Sequence, residues 1–267
     1  MVAENVYFDL TRAFNARGPV VALASGQAVV FYRVAIMSKD GDWVIREEPD
    51  ACARVLDVLE ERRAWYRPGA PLDVRWLSGG WSSHFEYRDA QRRRVRCDFF
   101  SRPPRVSRAA LDRVFASASD PLVAVDVESL IRMKRTQREK DYAVIGALAT
   151  RLPADREVRL TTDPDRLLAL APAHGRRIAR PAVQAALTGD RDAVVVALAR
   201  ERDGQQLADR ARLDAYAAAA RRYAEEFTAL SVEARLLPDA HAGICRLAER
   251  WLPTRIDLPE DADADAQ

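Results

Sequence analysis

Ala24-Ser25-Gly26-Gln27-Ala28 and, further on, Ser38-Lys39-Asp40-Gly41-Asp42-Trp43-Val44-Ile45 are the stretches that decide how this chain is read. The run before them, Pro19-Val20-Val21-Ala22-Leu23-Ala24, is short and apolar, as a buried strand is, and it stops at Ser25-Gly26. Gln27 to Tyr32 resumes in a helix-compatible pattern. A small residue followed by glycine at a helix start lets backbone N–H groups approach a phosphate. Asp40 and Asp42 lie two apart ahead of an apolar run, so in extended chain both carboxylates leave the same face. Two such charges repel unless a cation sits between them. The pattern suits a hard divalent ion held by oxygen ligands, with Mg²⁺ carrying a nucleotide phosphate as the usual occupant. Asp40-Gly41 is also a favoured two-residue hairpin turn, with Val34–Met37 and Trp43–Ile45 as its strands.

On either side of these stretches, Phe8 to Ala16 reads as a short amphipathic helix, and Pro49-Asp50 opens another, with Ala53, Leu56, Leu59 and Trp65 at near-helical spacing. Leu72 to Leu77 alternates as a strand does. His84–Tyr87 and Val95–Phe100 flank a polar turn, Arg88 to Arg94, and read as a hairpin ended by Pro103-Pro104. Inside its second strand lies a third acid, Asp98. A buried, unpaired carboxylate is costly. Asp98 therefore either faces water, with Cys97 and Phe99 inward, or serves as a third metal ligand beside Asp40 and Asp42. A long helix is predicted from Val127 to Leu148. On it Lys134, Arg138 and Asp141 fall at i, i+4 and i+7 on one face, whether as phosphate-binding groups or as an ion-paired, solvated surface. Beyond a boundary near 150–155 the chain reads as helices over 164–171, 181–203, 206–230 and 238–251. The expected organisation is a core over 1–150, a helical domain over 151–255 and a disordered acidic tail over 256–267.

Composition narrows the classes. The 267 residues are 48% hydrophobic and 31% charged, enough chain to bury a real core. No apolar run approaches the roughly 20 residues that cross a bilayer, and the N-terminus lacks a signal-peptide pattern, so a cytoplasmic protein with no membrane partner is expected. Three scattered cysteines and three scattered histidines (His84, His174 and His241) give no zinc spacing, no H-E-x-x-H and no disulfide framework; His84 and His174, with no partner in the sequence, are read as carrying no chemistry. Lys+Arg 42 against Asp+Glu 40 is too balanced to argue for nucleic acid on net charge. Arg92-Arg93-Arg94 with Arg96 nevertheless makes a basic hairpin tip, either a backbone-binding patch for RNA or DNA or a solubilising turn.

The order strand, Ser25-Gly26, helix, Asp40-Gly41-Asp42 and a later Asp98 resembles the nucleotidyltransferase superfamily typified by DNA polymerase beta, with Gly-[Gly/Ser], Asp-x-Asp and a third Asp on a later strand. It looks nearest to small bacterial abortive-infection toxin-type members. Ser25-Gly26-Gln27-Ala28 loosely fits their G-G-x-A turn, Ser38–Asp42 fits their S/T-x-D-x-D segment, and Lys134 with Arg138-Glu139-Lys140-Asp141 is similar to their downstream helix. The resemblance covers about residues 15–150. It implies an α/β (α+β) fold, a small mixed sheet flanked by helices, followed by an all-α C-terminal domain. It also implies transfer of a nucleoside monophosphate from an NTP to an acceptor hydroxyl on RNA, such as a tRNA end, or on a protein, with an antitoxin-like protein as a further partner. Asp40, Asp42 and Asp98 would be the catalytic and metal residues of a two-Mg²⁺ site. Ser25, Gly26, Lys39, Lys134, Arg138 and Asp141 would bind nucleotide. Gly41 departs from the family's bulky apolar residue and is expected to leave a hole that loosens the support of the acids. The alternatives are a catalytically weakened nucleotide-binding or interaction module of the same fold, and a nucleic-acid-binding protein using Arg92–Arg96.

Overall fold

The computed structural model describes residues 5–258; the expected acidic tail lies outside them from residue 259 onward. The chain forms two compact units. One comprises the residues up to Val125 together with those from Asp214 onward, the other Asp126–Leu213. Among the described residues no helix is long and apolar enough to cross a membrane.

The first unit begins with α1 (Val6–Phe14), whose N-cap Asn5 accepts a hydrogen bond from the Tyr7 N–H at 3.0 Å. β1 (Val21–Leu23) leads directly into α2 (Ser25–Phe31), and a loop returns to β2 (Gly41–Ile45). Then follow α3 (Pro49–Glu61), with proline in its first turn, β3 (Trp65–Arg67), α4 (Val74–Leu77), β4 (Ser82–Arg88), β5 (Arg94–Phe100) and α5 (Arg108–Ala116). The five strands make one mixed sheet in the order β1-β2-β5-β4-β3. β2 and β5 run parallel, and the other pairings are antiparallel. This is the mixed α/β architecture expected.

Alternation along the strands sorts the sheet into two faces. Trp43, Cys97, Phe99, Phe85 and Tyr66 point to one side and are fully buried or nearly so. Trp43 stacks on Phe99 at 5.2 Å between ring centroids, and Phe14 of α1 meets both rings edge-on at 5.5 Å. The Trp43 indole N–H donates to Thr11 Oγ1 at 2.9 Å, so its polar atom is satisfied inside the core. Residues from the end of the chain close the same unit. Trp76 and Trp81 donate to the carbonyls of Leu252 and Pro253, and Tyr216 and Tyr223 donate to those of Gly79 and Gly69.

Gly41 opens β2 as a paired strand residue opposite Cys97, so Asp40-Gly41 is not the tip of a hairpin, and Val34–Met37 is not a strand. Nor does Gly41 leave a hole: a Cβ there would run into the rings of Tyr7 and Trp43. The volume that a bulky residue would occupy is filled from neighbouring positions. Trp65 belongs to β3 rather than to α3. The alternation over Leu72–Leu77 is not a strand, because Asp73 accepts from the Arg75 N–H at 2.8 Å and caps the short α4.

The second unit contains α6 (Val127–Lys134), α7 (Lys140–Ala149), α8 (Ala154–Leu160), α9 (Pro164–His174), α10 (Pro181–Leu187) and the first part of α11 (Arg191–Thr228); α12 (Leu237–Trp251) belongs to the first unit. The long helix expected over Val127–Leu148 is therefore two. Thr136 accepts from the Arg138 N–H at 3.2 Å, and the Gln137 N–H donates to the buried Asp209 carboxylate at 3.2 Å, which diverts the backbone from helical bonding. Across this break the Lys134 Nζ meets Asp141 Oδ1 at 3.1 Å, both side chains about 90% buried. The expected helix over 181–203 ends early, where Gly189 takes a left-handed φ of +77° and Asp190 accepts from Asp192 and Ala193. Gly204 does not break α11, which is continuous where a boundary between 203 and 206 was expected.

Two stability outcomes follow. Gly41→Val crowds Tyr7 and Trp43 and is expected to lower unfolding free energy by about 1–3 kcal/mol in urea titrations, with Gly41→Ala milder. Lys134→Met strands the Asp141 carboxylate and is expected to cost about 3–5 kcal/mol, most of it recovered in Lys134→Met/Asp141→Leu.

Candidate functional site

The other face of the sheet is polar, and it is organised in rows. Strand pairing sets Asp42 of β2 opposite Asp98 of β5, Asp98 opposite His84 of β4, and His84 opposite Arg67 of β3. Four adjacent strands thus carry Asp42, Asp98, His84 and Arg67 side by side, and partners in register present their side chains on one face. His84 Nδ1 lies 2.8 Å from Asp98 Oδ1, and the Arg67 guanidinium donates to the same oxygen at 3.2 Å. Gly69 makes the space for this imidazole, since a Cβ there would run into His84 Cδ2.

A second row lies two residues along. Arg96 of β5 is opposite Glu86 of β4 and reaches Asp40, just before β2, at 3.6 Å. Glu86 is almost fully buried. Paired hydrogen bonds from Arg94 at 2.8 and 2.7 Å hold its carboxyl below the usual carboxylate range. The hairpin-tip arginines are therefore partly committed within the hairpin: Arg93 to Asp89, and Arg94 and Arg96 to Glu86.

The turn between β1 and α2 abuts the first row. The Ala24 N–H donates to the Asp42 carbonyl at 2.9 Å, so Ser25 and Gly26 follow directly from a residue hydrogen-bonded to the acid strand. Ser25 holds a left-handed φ of +46°, a conformation that costs a non-glycine residue of order 1 kcal/mol and is concentrated at functional turns. Ala24 has no side chain with which to cap α2. Gly26 packs on Ser38, and a Cβ on it would run into Ser38 Oγ. The buried Gln27 donates to the Ser38 carbonyl at 3.0 Å, and the Tyr7 hydroxyl donates to that of Lys39 at 2.5 Å, so the backbone leading to Asp40 is fixed while the Lys39 side chain is exposed.

Among the described residues no three His, Cys, Asp or Glu side chains stand together as a metal cluster. What the fold does bring together is the pair Asp42 and Asp98, with Asp40 just ahead of β2 and turned to Arg96. Mg²⁺ keeps most of its coordination for water and phosphate and needs only one or two protein carboxylates. Asp42 and Asp98 are therefore the residues that could hold such an ion, completed by water and ligand oxygens, and they do not form a pre-formed cage. Lys134, Arg138 and Asp141 lie in the second unit. They do not share a helix face: Lys134 and Asp141 bind each other in the interior, and Arg138 is exposed in the break between α6 and α7.

His84, Arg67, Glu86 and the partnership of Arg96 escape a reading of motifs. A signal existed for most of them. Closing the hairpin on Arg88 and Arg94 pairs Glu86 with Arg96 and His84 with Asp98.

No family model and no curated protein matches the chain. Two solved structures do, both from Helicobacter pylori. One is described as a "putative nucleotidyltransferase", at 12% identity and a TM-score of 0.41, over 77% of this chain and 95% of that one. The other is the protein JHP933, also at 12% identity and a TM-score of 0.41, over 78% of this chain and 92% of that one.

Proposed function

We propose that this chain binds a nucleoside triphosphate on the polar face of the sheet and transfers its nucleoside monophosphate to an acceptor hydroxyl. The observation that carries the reading is the register of β2 on β5, which sets Asp42 beside Asp98 next to the Ser25-Gly26 turn. A Mg²⁺ ion held by Asp42 and Asp98 would neutralise the triphosphate and acidify the attacking hydroxyl. The backbone N–H groups at the start of α2, which Ala24 leaves without a side-chain cap, would receive phosphate oxygens. Arg96, exchanging Asp40 for a phosphate oxygen, would balance charge on the departing pyrophosphate and release Asp40 toward the acid pair. His84 and Arg67 would act as positioning residues, fixing one oxygen of Asp98 and leaving the direction of the carboxylate set by the sheet. In this scheme the acceptor oxygen bonds to the α-phosphorus, the bond to pyrophosphate breaks, and the hydroxyl proton leaves on the Asp98 side. RNA ends and protein side chains are the acceptor classes proposed.

A second reading, binding without transfer, is favoured by one specific observation: Asp98 already carries two cationic or hydrogen-bonding partners and Asp40 carries one. One experiment separates the two readings. Pyrophosphate release is followed with Mg²⁺, each NTP and total RNA or lysate protein, alongside the Mg²⁺-NTP-induced shift in melting temperature. Transfer predicts release that falls about a hundredfold or more in Asp42→Asn and Asp98→Asn. Binding alone predicts a concentration-dependent melting shift, lost in Asp42→Asn, with no pyrophosphate from any variant. Release that is equal in all three proteins rejects the assignment of the site.

A further inference from the structure

The segment joining α2 to β2 is fastened at both ends and apolar in the middle. At its start Arg33 takes a left-handed φ of +56°, with Arg33 N–H bonded to the Val30 carbonyl at 2.9 Å and Val34 N–H to that of Val29 at 3.0 Å, which closes α2. At its end Gln27 and Tyr7 hold the carbonyls of Ser38 and Lys39, and Ser38 sits against Gly26. Between these anchors Ile36 is 97% exposed and Met37 76% exposed, the two most exposed large apolar side chains among the described residues. Single exposed apolar residues need no explanation. An adjacent pair on a stem pinned at both ends is different, because the loop has little freedom to fold them onto the protein. Exposed cations, Arg33 and Lys39, flank them. Met37 stands one Cα step, about 3.8 Å, from the residue that packs on Gly26.

We propose that Ile36 and Met37 form the apolar platform on which the base of the bound nucleoside triphosphate rests, with Arg33 and Lys39 beside its phosphates. The inference rests on the reading of the Ser25-Gly26 turn and the acid pair as a triphosphate site. Three features select this occupant: an apolar surface for an aromatic face, flanking positive charge for an anion, and closeness to the turn assigned to the phosphates. Methionine suits such a contact, since its flexible thioether makes favourable sulfur–aromatic interactions. Platform contacts of this kind are sequence-tolerant, because every base has a π-face.

The test compares two ligands that share phosphates and differ in the base. Calorimetric affinities for Mg²⁺-ATP and for Mg²⁺-tripolyphosphate are measured with the wild-type chain, Ile36→Ser/Met37→Ser, Ile36→Leu/Met37→Leu and Asp42→Asn. The serine pair is expected to weaken ATP about tenfold, as removal of two partly covered apolar side chains should. It should leave tripolyphosphate and the melting temperature unchanged, and the leucine pair should restore ATP binding. ATP affinity unchanged in the serine pair, or both ligands weakened equally, overturns the platform while leaving the phosphate site standing. A wild-type chain that binds neither ligand, or binds both without regard to Asp42→Asn, removes the underlying site and the platform with it.

Discussion

The parallel pairing of β2 with β5 is the constraint on which the rest of the molecule depends. It aligns Trp43 with Phe99 on one face and Asp42 with Asp98 on the other. Because side chains alternate with period two, a slip of one residue in either strand would carry the acids into the core and the stacked rings into water. Burial of the Trp43–Phe99–Phe14 cluster therefore enforces the juxtaposition of two like charges that would otherwise separate. The apolar contacts that stabilise the fold and the acid pair that supports its proposed chemistry are set by the same register.

Repulsion between the acids is offset by cations drawn from the same sheet. Arg67 and His84 meet Asp98, and Arg96 spans Asp40 and Glu86. All of these groups are partly open to solvent except Glu86, so the Coulomb energies are modest and exchange with a phosphate is physically accessible. The contrast with Lys134–Asp141 is instructive. There both charges are buried and each is the other's compensation, so neither can leave for a ligand without stranding its partner. Similar residue types form exchangeable ion pairs on the solvated sheet face and a locked pair inside the helical unit.

Much of the sheet was legible in the chain. The hairpin, the strand before Ser25-Gly26 and the strand after Asp40 announce themselves by alternation and by turn residues, and with the hairpin came the inward direction of Cys97 and Phe99. Two of the readings that the structure overturns share a cause: local periodicity misleads where a side chain competes with the backbone. Asp73 turned an alternating run into a helical turn, and Thr136 with Asp209 cut a long helix in two. The row Asp42–Asp98–His84–Arg67 needed pairing across four strands, which no single motif contains. The fate of Gly41 was illegible for another reason. Whether a glycine leaves a void depends on which distant rings arrive, and Tyr7 comes from a helix far upstream.

Tyr7 also joins the buried face of the sheet to the segment that leads into Asp40. Its ring occupies the space beside Gly41, and its hydroxyl bonds the Lys39 carbonyl, with burial pushing its proton affinity up so that it stays a donor at any physiological pH. One side chain thus fills the core where β2 begins and ties down the backbone that presents Asp40. The helix bearing Tyr7 also supplies Phe14 and Thr11 to Trp43, so α1 grips β2 at both its polar entry and its apolar middle. The loop ahead of Asp40 projects Ile36 and Met37 from an anchored base because α1 and Gln27 hold that base to the core. A glycine at position 41, where a bulky apolar residue would be expected in a core strand, is then not a defect in the acid strand. It is the opening through which α1 controls the strand's position.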